Sequence, residues 1–427
     1  MRSDLMRKED PEMTEQFGLL GKKLGHSYSP QIHGMLADYE YRLYEKEPDE
    51  VGLFLKETAL SGMNVTIPYK KTVMEYCTRL SDTAKRMGCV NTLVREAAGW
   101  HGYNTDYDGF CSLVKMSGIE VQGKKALVLG SGGASGTACR ALEDLGAASV
   151  VVISRSGENH YGNLHLHADA DLIVNTTPVG MYPDNGKAPL DLKAFPDCRG
   201  VLDVIYNPAR TGLLLQAEEL GIPHAGGLWM LVAQAKRSAE LFTGSKIDDG
   251  EVERITGILS GGMENLILVG MPGCGKSSIG KALAEILGRE FIDADEKLVE
   301  KAGKPIPEIF RESGESGFRR LETEILEELG KLSGKVIATG GGCVTREENY
   351  PLLHQNGRIV WIRRKLEVLP VEGRPISMSR SLTEMYEERK DCYAAFADLT
   401  VENDGTVQEA AEQISLGIRP KRTEKMK

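Results

Sequence analysis

Residues 270–278 read GMPGCGKSS. Gly270, Gly275, Lys276 and Ser277 fill the spacing G-x-x-x-x-G-K-S. Glycines at such intervals let successive backbone N–H groups curl around phosphate oxygens, and a following helix adds the positive end of its dipole. Gly273, Cys274, Gly275 and Ser278 form the cradle, Lys276 carries charge to the outer phosphates, and Ser277 offers a hydroxyl to Mg2+. The apolar run Asn265–Val269 precedes the motif and a helical pattern, 279–287, follows it. Strand, glycine-rich turn and helix in that order predict a nucleoside triphosphate site.

A second glycine-rich turn, Gly130, Ser131, Gly132, Gly133, Ala134 and Ser135, lies between an apolar strand (124–129) and a helical pattern (136–145). The strand expected at 149–153 completes a βαβ dinucleotide-binding unit. It ends in Ser154, Arg155 and Ser156, where an NAD enzyme usually carries an acidic residue for the ribose hydroxyl. A guanidinium flanked by two hydroxyls suits a 2′-phosphate, which predicts NADP(H). The loop 157–168 that follows holds His160, His165 and His167. A metal shell there would need further fixed ligands, so these are read as solvated loop residues.

The elements that must position these residues follow from length and pattern. At 427 residues with 41% hydrophobic composition, the chain suits two or three domains with ordinary cores. Apolar strands alternate with amphipathic helices throughout, which signals α/β architecture. A net charge of −10 argues against a nucleic-acid surface, and no apolar run approaches the ~20 residues of a membrane span. The eight cysteines form no C-x-x-C pair, and the charged first residues lack the apolar core of a signal peptide, so a cytoplasmic location with reduced thiols is expected. The break Leu259-Ser-Gly-Gly262 before Met263 reads as a linker, 259–263, between two once-separate enzymes. The basic tail 419–427 is expected to fray.

Four polar clusters occupy expected loops in the first half: GHSYSP (25–30), NVTIPYK (64–70), GCVNT (88–92) and GYNTD (102–106). With NTTPVGM (175–181), DVIY (203–206) and GLWMLVAQ (227–234), they resemble shikimate dehydrogenases from about Phe17 to Leu259. The resemblance implies NADPH-dependent reduction of 3-dehydroshikimate to shikimate. It makes Lys70 and Asp106 the catalytic pair. Hydride reaching a carbonyl carbon leaves charge on oxygen, which calls for a proton from a positioned acid. It also implies that Ser27 and Ser29 bind the substrate carboxylate, and that Asn64, Thr66, Asn91 and Gln234 bind ring hydroxyls beside Tyr206. Gly227 and Met230 would lie along the nicotinamide. The family's usual Asn before the strand-end Arg is Ser154 here. The implied organisation is a substrate domain over 14–110, with 227–258 packing back onto it, and a Rossmann NADP domain over 111–226.

The second half, 264–427, resembles shikimate kinase from Met263 to about Leu416, which implies a P-loop domain with a parallel sheet and phosphorylation of shikimate by ATP. The expected second strand ends FIDAD (291–295), and strand alternation would put Asp293 and Asp295 on one side. The resemblance gives Asp293 to Mg2+ and Asp295 to the shikimate hydroxyls, so that Asp295 joins Lys276 as a catalytic residue. It gives Arg319, in FRRLE (318–322), and Arg389 to the substrate carboxylate, Gly341 of the triplet TGGGC (339–343) to substrate contact, and Arg374 of GRP (373–375) to the phosphates. The partners implied are small molecules. Two alternatives stay open: a dehydrogenase half preferring quinate, and a non-catalytic metabolite sensor built from the same modules.

Overall fold

Runs of β-branched and aliphatic residues become strands here because parallel pairing buries both of their faces. The computed structural model describes residues 16–25, 27–369 and 381–418. They fall into two compact units, Met1–Gly157 with Trp229–Ile255, and Glu158–Leu228 with Thr256–Lys427. This division does not follow the boundary expected near residue 260. The stretch 158–228 shares a unit with the kinase-like half.

In the first unit, β1 (Gln16–Gly21), β2 (Glu40–Glu45), β3 (Gly62–Val65), β4 (Cys77–Leu80), β5 (Thr92–Glu96) and β6 (Gly99–Tyr103) form one sheet in the order β2-β1-β3-β5-β6-β4. β1 runs parallel to β2 and β3, while β5 pairs antiparallel with β3 and β6. Its helices are α1 (Ser29–Leu36), α2 (Val51–Glu57), α3 (Asp82–Met87) and α4 (Thr105–Ser117). Leu20, Leu55, Met63, Leu93 and Trp100 fill the core. β7 (Lys125–Leu129) and β8 (Ser149–Ile153) pair in parallel on either side, in sequence, of α5 (Gly133–Asp144). That helix starts three residues before the sequence expectation, so its first turn includes half of the glycine-rich motif.

In the second unit β9 (Leu172–Asn175), β10 (Gly200–Asp203) and β11 (His224–Ala225) pair in parallel, with α6 (Gly212–Glu219) before β11. The helix closing the dehydrogenase-like half, α7, spans Leu228–Thr243, and α8 spans Gly250–Met263. The second half is a sheet in the order β13-β14-β12-β15-β16, parallel throughout. Its strands are β12 (Asn265–Val269), β13 (Phe291–Asp293), β14 (Val336–Ala338), β15 (Gly357–Arg363) and β16 (Leu399–Glu402). Around them stand α9 (Lys276–Leu287), α10 (Ala294–Ala302), α11 (Ile306–Gly330), α12 (Asn349–His354), α13 (Leu382–Phe396) and α14 (Val407–Gly417). All five residues of β12 are buried, and the P-loop leaves from this central strand.

Two expectations need correction. The linker 259–263 is the last turn of α8. Val252, Ile255, Leu259 and Met263 recur at helical spacing and are buried, while Gly261 and Gly262 lie on the exposed side. There the two glycines cost only helix propensity, about 1 kcal/mol each, and burial of the apolar stripe outweighs it. The helix end is satisfied: Arg289 donates to the carbonyls of Glu264 (2.8 Å) and Gly261, and the Gly334 N–H to that of Met263 at 2.7 Å. Secondly, the strand expected through Asp295 ends at Asp293. The Asp293 carboxylate accepts from the Asp295 N–H at 3.0 Å and caps α10, so Asp295 sits in a helix and strand alternation does not apply to it.

Close packing of α11 on α12 depends on Gly330, where a Cβ would lie 1.9 Å from the Leu352 carbonyl oxygen. Gly330→Ala is expected to cost about 1–3 kcal/mol through overpacking. Urea unfolding should show a lower midpoint; an unchanged midpoint would mean the two helices do not approach as described.

Candidate functional site

Three sites take shape from the residues singled out by sequence. At the first, Lys70 Nζ stands 2.6 Å from Asp106 Oδ2, both side chains partly exposed. Asp106 lies in the first turn of α4, whose N-cap Asn104 accepts from the Tyr107 N–H at 3.2 Å. The carboxylate is thus carried on a rigid helix start. Asn91 fixes the same turn: its Oδ1 accepts from the Thr105 N–H at 2.7 Å and its Nδ2 donates to Thr105 Oγ1 at 3.0 Å.

Asn64 is buried, with 5% relative exposure. Its Nδ2 donates to Ser238 Oγ (2.8 Å) and Thr92 Oγ1 (3.1 Å), and its Oδ1 accepts from Tyr41 at 2.8 Å. Ser238 Oγ also lies 2.9 Å from Thr92 Oγ1 and 3.1 Å from Thr105 Oγ1. Gln234 joins weakly, 3.5 Å from Thr105 Oγ1. The sequence reading gave no role to Tyr41, Thr92, Thr105 and Ser238; Thr92 and Thr105 stand in the GCVNT and GYNTD clusters, whereas Tyr41 and Ser238 lie in none of the motifs. His33 stacks on Tyr41 at 4.0 Å, and burial pushes its imidazole down to about 3, so it stays neutral. Ser27 and Ser29 flank the start of α1, with the Ser29 N–H on Ser27 Oγ at 3.2 Å. Thr66, directly after β3, is half-buried.

At the second site Gly130 adopts a left-handed φ of 107° as the chain leaves β7. Gly132 occupies the N-cap of α5 with no side-chain cap, and a Cβ at Gly132 or Gly133 would meet nothing within 4 Å. The protein itself therefore leaves both glycines free, and the uncapped N–H groups of Ser131–Ala134 suit a pyrophosphate. Ser135 is buried, which fits its helix-packing position in the fingerprint. Ser154 bonds the Ser156 carbonyl, and Arg155 is exposed with no ion-pair partner among the described residues. The histidine loop forms a short 3₁₀ turn capped by His160, and no metal-binding cluster occurs among the described residues. Met230 is nearly buried on α7, and its carbonyl lies against Gly109 of α4. Tyr206 and Gly227 belong to the second unit. There the Gly227 N–H donates to the Ile205 carbonyl at 2.9 Å.

The third site is a cavity of about 690 Å³ over the carboxyl ends of the kinase-like strands. Four cations, Lys276, Arg319, Arg364 and Arg389, line it with three carboxylates, Asp293, Asp295 and Glu322. Lys276 Nζ donates to the Gly270 (2.9 Å) and Met271 (3.1 Å) carbonyls, and Ser277 Oγ to Asp293 Oδ2 at 2.6 Å. That hydroxyl–carboxylate pair is the donor set expected for Mg2+, whose remaining ligands would be phosphate and water oxygens. Gly273, Gly275 and Ser278 line the cavity, whereas Cys274 is fully buried with its N–H on the Met271 carbonyl. Asn403, unnoticed in sequence, donates to the Cys274 carbonyl at 2.7 Å and braces the loop.

Arg319 pairs with Glu322 at 2.7 Å, both buried. Burial pushes the Glu322 carboxyl up despite the guanidinium beside it. Arg319 Nε and Glu322 Oε1 are buried without partners among the described residues. The glycine triplet makes room for them: a Cβ on Gly340 would stand 2.5 Å from Glu322 Oε1, and one on Gly342 would stand 2.1 Å from an Arg319 amine. The Gly341 carbonyl accepts from Arg389 at 3.2 Å and from the Tyr393 hydroxyl. Arg320, next to Arg319, is exposed. Arg364 and Glu322 were given no role by sequence reasoning; the Arg363-Arg364 pair at the end of β15 was the signal for the former. Arg374 lies outside the described residues.

Comparison with known proteins agrees with this geometry. Residues 272–418 match the family model "Shikimate kinase", and residues 19–93 match "Shikimate dehydrogenase substrate binding domain". A shikimate dehydrogenase (NADP(+)) of Clostridium perfringens is 35% identical over 260 residues, covering 56% of this chain and 96% of that protein. Shikimate dehydrogenase 1 of Peptoclostridium difficile matches with a TM-score of 0.54 and 37% identity over 58% of this chain and 98% of its own. The Thermus thermophilus shikimate 5-dehydrogenase, solved with NADP(H) and shikimate, gives a TM-score of 0.53 and 30% identity over 57% of this chain and 98% of its own.

The saturated bonding of Asn64 generates a prediction. Asn64→Ala takes the acceptor from the Tyr41 hydroxyl and a donor from Thr92 and Ser238, and should cost about 1–3 kcal/mol of stability. Thermal unfolding without ligand measures it; an unaltered transition would mean the amide is free for ligand instead.

Proposed function

The chain belongs to the shikimate dehydrogenase family and carries a shikimate kinase domain behind that part, and from this premise we propose how its residues divide the work of two consecutive reactions. The protein is a bifunctional enzyme of the shikimate pathway, reducing 3-dehydroshikimate with NADPH and phosphorylating shikimate with ATP. The observation that carries the assignment of roles is the occurrence in one chain of the Lys70–Asp106 pair and the cationic P-loop cavity.

In the reduction, NADPH supplies the hydride to the C3 carbonyl carbon. The Lys70 ammonium gives its proton to the oxygen as charge develops there. Asp106, 2.6 Å away, holds that ammonium in place and accepts from a ring hydroxyl. Ser27 and Ser29 take the carboxylate, Asn91 and Gln234 the remaining hydroxyls with Thr66, and Tyr206 lines the pocket. Asn64 acts mainly by holding this set together. The open backbone at Gly132 and Gly133 receives the pyrophosphate, Arg155 the 2′-phosphate, and Gly227 and Met230 flank the nicotinamide.

In the phosphorylation, the oxygen protonated at the first site becomes the nucleophile. Asp295 orients it and takes its proton, and ADP leaves. Arg319 and Arg389 fix the carboxylate, with Glu322 holding the Arg319 guanidinium. Gly341 presents backbone to the substrate. Lys276 swings from its carbonyl partners to the outer phosphates, and Arg364 adds charge at the end of β15. Ser277 and Asp293 hold Mg2+, which neutralises phosphate charge when bound. Positioning and charge cancellation are what this transfer asks of a protein.

Lys70→Ala should lower NADPH oxidation with 3-dehydroshikimate by about 10²–10⁴-fold and leave ATP turnover with shikimate unchanged. Lys276→Ala should do the reverse. Absence of either turnover in the unaltered protein would reject the corresponding half of the reading.

Arg155→Ala should raise the KM for NADPH at least tenfold and hardly move that for NADH, since only NADPH carries the phosphate the guanidinium pairs with. Equal weakening of both cofactors would make Arg155 a support of its loop.

A further inference from the structure

The dehydrogenase-like stretch following β10 is bonded on two sides. On one side Asp203 is fully buried and accepts from Thr211 Oγ1 (2.7 Å), the Ile205 N–H (2.9 Å) and Asn175 Nδ2 (3.0 Å). These bonds curl residues 203–211 into a fixed loop. The loop lies tightly against two glycines: a Cβ on Gly227 would stand 2.0 Å from the Val204 carbonyl oxygen, and one on Gly226 would stand 3.2 Å from that of Ala209. Any displacement of the loop must therefore displace Gly227.

On its other side the same loop is bonded to the kinase domain, within one compact unit. The Ala209 N–H donates to Asn356 Oδ1 at 2.8 Å, and the Arg210 N–H to the Gln355 carbonyl at 2.9 Å. The Arg210 guanidinium donates to the His354 carbonyl at 2.8 Å. From α6, Glu218 meets His354 Nε2 at 3.0 Å. His354, Gln355 and Asn356 are all buried, with relative exposures of 2%, 2% and 4%. Three successive buried polar residues need partners, since each unmatched group costs free energy. The loop meets the Asn356 side chain and the His354 and Gln355 carbonyls, while Glu218 and Asn185 meet the His354 and Gln355 side chains. The segment is itself rigid: it ends where β15 begins, and the Asn356 carbonyl accepts from the N–H of Asn265, first residue of the P-loop strand, at 2.8 Å.

We propose that residues 354–356 of the kinase domain form a docking surface for the 203–211 loop, and that this contact fixes Gly227 and Tyr206 in place within their unit for the cofactor and substrate. Asn356 and Arg210 act as positioning residues, touching neither substrate nor cofactor. The role given to Gly227 and Tyr206 rests on the reading under Proposed function; the docking itself does not.

The test uses the full chain. Hydrogen exchange, measured without substrates, should show the peptide containing Ala209 and Arg210 protected, and Asn356→Ala should speed its exchange at least tenfold. The same variant should raise the KM for NADPH at least threefold, with dehydrogenase kcat and ATP turnover with shikimate within twofold of the unaltered protein. If Asn356→Ala does not fold, Arg210→Ala, on a half-exposed side chain, carries the same expectations, and Arg210→Lys should restore KM in part. Rapid exchange of this peptide in the unaltered chain would overturn the docking. Faster exchange in the variants with unchanged KM would overturn the positioning. Because exchange is read without turnover, a chain that fails to oxidise NADPH would count against the assigned reaction and leave the docking result standing.

Discussion

Parallel strand pairing is the constraint on which the rest of this molecule depends. A parallel strand can be joined to its neighbour only by a crossover that returns to the same end, so the carboxyl ends of all strands collect on one edge. In the kinase domain that edge carries the P-loop after β12, Asp293 at the end of β13, the glycine triplet after β14, Arg364 after β15 and Asn403 after β16. Residues as far apart in sequence as Pro272 and Arg389 thereby meet across one cavity. The same rule puts the glycine-rich turn after β7 and Arg155 after β8 on one edge.

What separates the sites is how each holds its charges. The Lys70–Asp106 pair stays partly open to solvent, and the polar groups around it are neutral amides and hydroxyls that satisfy one another. A neutral, saturated surround fixes geometry without adding charge of its own. The kinase cavity buries a full ion pair, Arg319 with Glu322, which is stable only because its geometry is close and the glycine triplet yields the space. A cavity lined by four cations and three carboxylates suits a polyanionic nucleotide while keeping carboxylates beside it.

The two reactions share an atom as well as a chain. The oxygen that receives a proton in the reduction is the one that receives phosphorus in the transfer. Yet the halves are not beads on a string. The expected linker is helical, and the compact units cut through the dehydrogenase-like half at residues 157 and 228, leaving its second part with the kinase domain. Buried groups of the 354–356 segment find partners in that part.

Sequence by itself determined the chemistry that local spacing enforces. Gly270–Ser278 reads as a phosphate loop because closely spaced glycines ahead of a helix present their N–H groups in that way, and the family resemblance carried by the polar clusters paired Lys70 with Asp106 across 36 positions of chain. Local patterns also misled where a neighbour decided the outcome. Asp295 was read on a strand, but a cap from Asp293 turns the chain into a helix one residue earlier; Ser260, Gly261 and Gly262 were read as a break, but a buried stripe from Val252 to Met263 carries the helix through them. Only the tertiary structure decided that Ser238 and Tyr41 saturate Asn64, that Glu322 holds Arg319, and that Asn356 receives the N–H of Ala209. These are contacts between single, common residues far apart in sequence. Nothing in their spacing marks them, because the requirement they meet, a partner for every buried polar group, exists only once the chain has folded.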